Sequence, residues 1–164
     1  MSRGSVLVTG ATGMVGMTLT PRLLQEGYEV TVLMRPESDR SLIRDWDVRV
    51  AEGDLADPET LAPAIEGKDF VVHAAAHVGD WGPAEKYRQR KVVAREHMLT
   101  AAERGGALKR WIQVSALGIY PARPHFGTDE TSPADVSGLD GYTRTKAEAE
   151  VLLRRHMQEQ SLPA

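Results

Sequence analysis

The stretch "VLVTGATGMVG", Val6 to Gly16, constrains the fold of this chain more than any other. A short apolar run, rich in β-branched residues, leads into Gly10, Gly13 and Gly16, spaced three apart. "SVLVT" suits a parallel strand buried on both faces. From Gly13 to Glu26 the apolar residues Met14, Val15, Leu19, Leu23 and Leu24 fit a helix that Gly27 closes. Pro21 falls inside it, removes one helix hydrogen bond and opens the way to a kink. Glycines between a strand and a helix have three uses in a nucleotide-binding βα unit. The first permits a tight turn, the second lets the backbone approach a pyrophosphate, and the third lets helix and strand pack closely. The helix N-terminus then offers free N–H groups and partial positive charge to the phosphates. The alternative is a glycine-rich turn with no ligand, and the order of the remaining elements weighs against it.

That order is a repeated alternation of strand and helix. "YEVTVLMR" reads as a second strand, followed by a short polar helix around Asp39 to Arg44. "VRVAEGDL" is a third strand, ending at Asp54. "DPETLAPAIEG" is a helix with Asp57 as N-cap, Pro58 in its first turn and Gly67 as its stop. "DFVVHAAA" is a fourth strand, Glu85 to Arg104 a long helix, and "RWIQVSA" a fifth strand. A loop rich in Pro, Gly and Asp runs from Tyr120 to Gly138, and "TRTKAEAEVLLRRHMQEQ" forms a last amphipathic helix. Such alternation predicts an α/β fold: a Rossmann-type, doubly wound parallel sheet of about five strands with helices on both faces.

Composition sets the outer bounds. The chain's 164 residues suffice for one α/β domain and not for two. A net charge of −3 gives no reason to expect a nucleic-acid partner. The absence of cysteine excludes disulfides and thiolate metal sites, and no histidine pair has metal-ligand spacing with a carboxylate, so no metal is expected. No apolar run approaches the ~20 residues of a membrane span. The N-terminus lacks a signal-peptide pattern, so a cytoplasmic protein is expected. The expected partner is a small-molecule substrate, and a homodimer is left open.

Five motifs, in order across the whole chain, resemble the extended short-chain dehydrogenase/reductases, the NAD-dependent epimerase/dehydratase family. They are "TGATGMVG" (Thr9–Gly16), "GDLADP" (Gly53–Pro58), "VVHAAA" (Val71–Ala76), "VSALGIY" (Val114–Tyr120) and "YTRTK" (Tyr142–Lys146). "HAAAHVGDWGP" further resembles the branch of 3β-hydroxysteroid-dehydrogenase-like and dihydroflavonol-reductase-like reductases. The resemblance implies an NAD(P)-dependent oxidoreductase, or an enzyme of epimerase/dehydratase type. It also implies that the cofactor meets Gly10, Thr12, Gly13, Met14 and Val15 at the glycine turn, Asp54 and Leu55 around the adenine, and Ala74, Ala75 and Ala76 at the end of the fourth strand. Small side chains leave room there, and close strand–helix packing explains those alanines equally well.

An NAD-preferring site places a carboxylate at the end of the second strand for the ribose 2′-hydroxyl. Here that position is Met34, followed by Arg35, whose guanidinium could bind a 2′-phosphate. NADP is therefore the expected cofactor, with NAD as the alternative, and Arg40 could assist. The plainer reading of Arg35 is a solvated loop arginine.

Tyr142 and Lys146 are four apart, which puts both on one helix face. A phenol is a poor base at neutral pH, and a neighbouring ammonium favours its ionised form. Such a pair can exchange a proton with a substrate oxygen while hydride moves, and the lysine can also hold the ribose. The resemblance also implies a catalytic hydroxyl after the fifth strand. The matching slot is Ala116, with Ser115 beside it as the candidate. A second departure is Lys91, Ala94 and Arg95, where the family often has an asparagine followed by a Val-x-Gly-Thr run. His73 and His77 are more simply structural, and Trp81 is either a pocket wall or a packed loop aromatic. The family's sixth strand and substrate domain are expected to be absent, which predicts a fragment or a truncated form. A non-catalytic dinucleotide-binding module is the competing function, favoured by Ala116.

Overall fold

The computed structural model describes residues 2–75, 94–137 and 140–164. Strand β1 is Ser5–Thr9, β2 Glu29–Met34, β3 Arg49–Glu52, β4 Phe70–His73 and β5 Arg110–Gln113. Helix α1 is Met14–Gln25, α2 Pro58–Ile65, α3 Ala94–Gly105 and α4 Gly141–Glu159. The five strands form one sheet in the order β3-β2-β1-β4-β5, and every pairing is parallel. This is the doubly wound arrangement expected from the alternation of elements. The order reverses between β1 and β4, which is where ligands of open α/β sheets bind.

Alternation along the strands sends side chains to two separate cores. Leu7, Leu33, Val71 and Trp111 point to one face, with Leu61 and Ile65 of α2, Met98 and Leu99 of α3, and Leu152 and Leu153 of α4. Val6, Val8, Val30, Val32, Met34 and Val72 point to the other, where Leu19, Leu23 and Leu24 of α1 pack. A strand with both faces covered must be apolar at every position, which is why β1 reads as a run rather than an alternation. At the sheet's amino end Asp69 ties the elements together. Its carboxylate accepts the Ser5 N–H at 2.8 Å and pairs with Lys109 at 2.7 Å. These partners hold the carboxyl down at about 2.

Several boundaries differ from expectation. Pro21 leaves α1 one continuous helix. Met14 and Val15, in the first turn of α1, are exposed. The polar helix of Asp39 to Arg44 is a single 3₁₀ turn, Ser41–Ile43. β3 stops at Glu52 instead of reaching Asp54. Gly53 N–H still reaches the Met34 carbonyl at 2.9 Å, but Asp54 then folds back to accept the Ala56 N–H at 2.8 Å. β5 likewise ends at Gln113, ahead of the 3₁₀ turn Leu117–Ile119. Trp111 N–H donates to the Pro163 carbonyl at 2.6 Å, so the last residues run beside β5. Ala76, His77, Trp81, Lys91 and the first part of the long helix lie outside the described residues, as does Gly138. Among the described residues no helix is long and apolar enough to cross a membrane.

Candidate functional site

The three glycines do three different things. Gly10 has φ +74°, and a Cβ there would lie 2.6 Å from the Ala75 nitrogen. It therefore provides both the left-handed turn and the close approach of β1 to the end of β4. A Cβ on Gly16 would lie 2.2 Å from the Gly10 carbonyl oxygen and 2.5 Å from Ala11 Cα, so α1 rests on the turn at that point. Gly13 has an ordinary φ of −82°, and among the described residues a Cβ there would meet only the Gly10 oxygen, at 3.3 Å. The fold needs Gly10 and Gly16, and the outer side of Gly13 is open among the described residues. Gly16→Ala is expected to destabilise the domain by about 1–3 kcal/mol through overpacking against backbone. A denaturant titration measures it, and an unchanged midpoint would mean that α1 does not need this contact.

Gly13 caps α1 without a side-chain bond, and no acidic residue occupies the first turn. The first N–H groups thus keep their positive field. Thr12, Gly13, Met14 and Val15 are all exposed around that end, with Met14 88% exposed. An exposed backbone surface at the positive end of a helix fits an anionic diphosphate.

Beyond β2, Arg35 is exposed and lies 3.4 Å from Glu37. Arg40 pairs with Glu52 at the end of β3. The carboxylate of Asp54 is half-buried and turned toward its own loop, and Leu55 packs against the core. Sequence reasoning missed Glu37 and Glu52 because ion pairs across a turn or between neighbouring elements leave no periodic signature.

At the other end of the switch point, α4 begins at Gly141, so Tyr142 and Lys146 share one helix, as their spacing implied. Asp140 accepts the Thr143 N–H at 2.7 Å, and the Thr143 side chain meets the Asp140 N–H in return. This capping box sets Tyr142 in the first turn. Thr145, Lys146, Ala149, Leu152, Leu153 and His156 form the buried stripe of α4. Lys146 is therefore directed at the sheet, where its ammonium donates to the Val114 carbonyl at 3.0 Å. The same ammonium lies 5.9 Å from the centre of the half-buried Tyr142 ring. Gly118 packs on Thr143, since a Cβ there would lie 2.8 Å from Thr143 Cγ2. The end of β5 is thus held between Lys146 and the start of α4. Ser115 is exposed and lines a groove of about 450 Å³ with Ile112, Leu153 and Met157. Ala116 has extended backbone, φ −151° and ψ 150°, so adjacent side chains there point to opposite sides.

Beneath these residues His73 and Arg95 are buried, 4% and 7% exposed. Burial, with the positive charges of Arg95 and Lys146, holds His73 well below the usual histidine range. Folded His73 stays neutral where the unfolded chain would take up a proton, so acidification below that range favours unfolding. Burial also lowers Arg95 to about 10, and the charge of Glu150 opposes that shift. Ala74 and Ala75 are half-buried beside Gly10.

A glycine turn on the switch point of a parallel doubly wound sheet, with a Tyr–Lys helix on its far side, defines a Rossmann-type α/β domain. The model of the NAD dependent epimerase/dehydratase family matches residues 6–164. This chain belongs to that family. It is 35% identical over 155 residues to 3 beta-hydroxysteroid dehydrogenase/Delta 5-->4-isomerase of Mycobacterium tuberculosis, covering 90% of this chain and 41% of the relative. The crystal structure of gox2253 superposes with a TM-score of 0.88 at 34% identity, over 99% of this chain and 50% of that one. UDP-glucose 4-epimerase of Thermus thermophilus, solved with NAD, gives a TM-score of 0.81 at 26% identity, over 96% and 52%. The chain spans about half the length of these relatives or less.

Proposed function

We propose that this chain is the cofactor half of an NAD(P)-dependent oxidoreductase acting at a secondary alcohol or ketone, with Tyr142 and Lys146 as the catalytic pair. The carrying observation is the fixed Lys146 ammonium, 3.0 Å from the Val114 carbonyl and 5.9 Å from the Tyr142 ring centre. A bound nicotinamide supplies or takes the hydride. Tyr142 gives the substrate oxygen its proton, or removes it, at the phenolic oxygen. Lys146 places positive charge beside that phenol and has the reach to hold ribose hydroxyls. Ser115 is the hydroxyl available to orient the reacting oxygen. Gly10, Thr12, Gly13, Met14 and Val15 form the diphosphate cradle, Asp54 and Leu55 flank the adenine, and Ala74 and Ala75 leave room for the cofactor. The region that selects substrate lies outside these residues, as the half-length coverage of the relatives suggests. Calorimetric titration with NADPH and NADH tests the reading, and a chain that binds neither refutes it. The competing reading, a non-catalytic dinucleotide-binding module, draws on Ala116 in the slot where the family carries a hydroxyl. It wins if dinucleotide binds but an extended form of the protein turns over no substrate.

The cofactor form favoured is NADP. The Arg35–Glu37 pair joins side chains 61% and 67% exposed, so it contributes little and yields readily to a 2′-phosphate. Arg35→Ala is expected to weaken NADPH by about tenfold, the scale of one charge-assisted hydrogen bond, and to leave NADH unchanged. Equal affinity for both cofactors in the wild type, or an NADH preference that survives the substitution, sinks the assignment.

A further inference from the structure

Thr9 and His73 lie opposite each other in the β1–β4 ladder and are almost wholly buried, 1% and 4% exposed. Thr9 Oγ1 is 2.7 Å from His73 Nδ1 and accepts the Ala75 N–H at 3.2 Å. The Thr9 carbonyl accepts the Ala74 N–H, also at 3.2 Å. A hydroxyl has one proton to give. With one lone pair of Thr9 Oγ1 committed to Ala75, that proton needs an acceptor. Among the described residues, His73 Nδ1 is the acceptor within reach of it. Nδ1 must then be bare and the ring proton must sit on Nε2.

The surroundings favour a neutral ring. Arg95 faces it from α3 and Lys146 from α4, both cationic. β5 contributes the Trp111 ring, 6.0 Å away, and Gln113, whose amide donates to the His73 carbonyl at 3.3 Å; neither titrates. β1 contributes Thr9, which does not titrate either.

We propose that His73 is a positioning residue for the dinucleotide cradle: as the Nε2–H tautomer it takes the Thr9 proton, and the oriented Thr9 oxygen fixes the Ala74–Ala75 turn against Gly10. The role rests on the dinucleotide-binding reading above. It follows from the crowding at Gly10, where Ala75 backbone lies within 2.7 Å of where a Cβ would be. A turn packed that closely shifts the glycine loop whenever it moves. The same histidine links this loop to the catalytic end. Its carbonyl accepts the Val114 N–H at 3.1 Å, and the Val114 carbonyl accepts the Lys146 ammonium at 3.0 Å. A histidine that merely filled space would be replaceable by any residue of similar bulk.

The 164-residue chain itself serves for the test. NADPH and NADH affinities are measured for the wild type, His73→Asn, His73→Leu and Thr9→Val, with thermal melts alongside. Imidazole nitrogen NMR reads the tautomer from about pH 5.5 to 8. The wild type should show a bare Nδ1 and a protonated Nε2 throughout, and Thr9→Val should lose that single-tautomer signature. His73→Asn, whose Oδ1 falls near the place of Nδ1, should bind within about threefold of the wild type. His73→Leu and Thr9→Val should each lose about tenfold, and the double variant no more than either alone. A wild-type ring protonated on Nδ1 overturns the proposal. So does His73→Leu or Thr9→Val binding as the wild type does, or His73→Asn failing as badly as His73→Leu. If His73→Leu does not fold, the wild-type spectrum and Thr9→Val still decide. A wild type that binds neither dinucleotide overturns the binding reading itself, and the positioning role with it.

Discussion

Gly13→Val is expected to keep the fold and lose the dinucleotide. The backbone there is φ −82° and ψ 171°, an extended conformation that a β-branched residue adopts readily. Among the described residues the only neighbour of a new Cβ is the Gly10 oxygen at 3.3 Å, which needs to give by a few tenths of an ångström. Replacing glycine at a compatible position also restricts the unfolded chain, which favours the folded state. The cost falls on the ligand. The isopropyl group occupies the open side of the turn, where a diphosphate would have to approach the N–H groups of α1. Losing two charge-assisted hydrogen bonds, each worth ~1.5–3 kcal/mol, predicts an affinity loss of at least about 100-fold. Circular dichroism and calorimetry on one preparation measure both halves. A folded variant that binds as the wild type does would remove the phosphate cradle from this site.

The contrast among the three glycines was only half legible in the sequence. Their spacing after an apolar strand announced the βα turn, because few other structures need that much backbone freedom at that place. The order of roles along the triplet followed from the βα motif. The contacts that enforce it, Ala75 against Gly10 and Ala11 against Gly16, come from the fold, and spacing does not report them. The parallel sheet was legible for a similar reason: buried strands such as "VLV" and "FVV" stay apolar throughout. Helix α4 was legible from Tyr142 and Lys146 at helical spacing, but its N-cap Asp140 and the answering Thr143 were not named, although the two stand at capping-box spacing. The buried polar groups were the least legible. Thr9 and His73 are 64 residues apart in the chain. Arg95 sits inside between helices, against the usual preference of arginine for the surface. Local pattern carries no information about such pairings, because the fold creates them.

Tyr142→Phe is expected to reduce turnover by ~10²–10⁴-fold in a form of the protein extended beyond Ala164, with cofactor affinity preserved. The substitution removes the proton donor and acceptor and keeps the ring, which is half-buried at the start of α4. The Asp140–Thr143 capping box does not involve the phenol, so the helix start should survive. Lys146→Ala should do more. Its ammonium holds the Val114 carbonyl at 3.0 Å, next to Ser115, so its loss frees the end of β5 as well as removing charge beside Tyr142. Turnover and cofactor affinity should therefore fall together in Lys146→Ala, whereas Tyr142→Phe should lower kcat alone. The role of the missing hydroxyl can be read in the same series. Adjacent side chains there point to opposite sides, so the two positions are alternatives. If Ser115 orients the reacting oxygen, Ser115→Ala should lower kcat. If the slot is that of Ala116, Ser115→Ala should leave kcat unchanged and Ala116→Ser should raise it. Steady-state rates and separately measured cofactor affinities for these variants provide the test. A fully active Tyr142→Phe would move the chemistry to another residue. An extended wild type that binds cofactor and shows no turnover would make this domain a dinucleotide-binding module, with Ala116 as the residue that marks the loss.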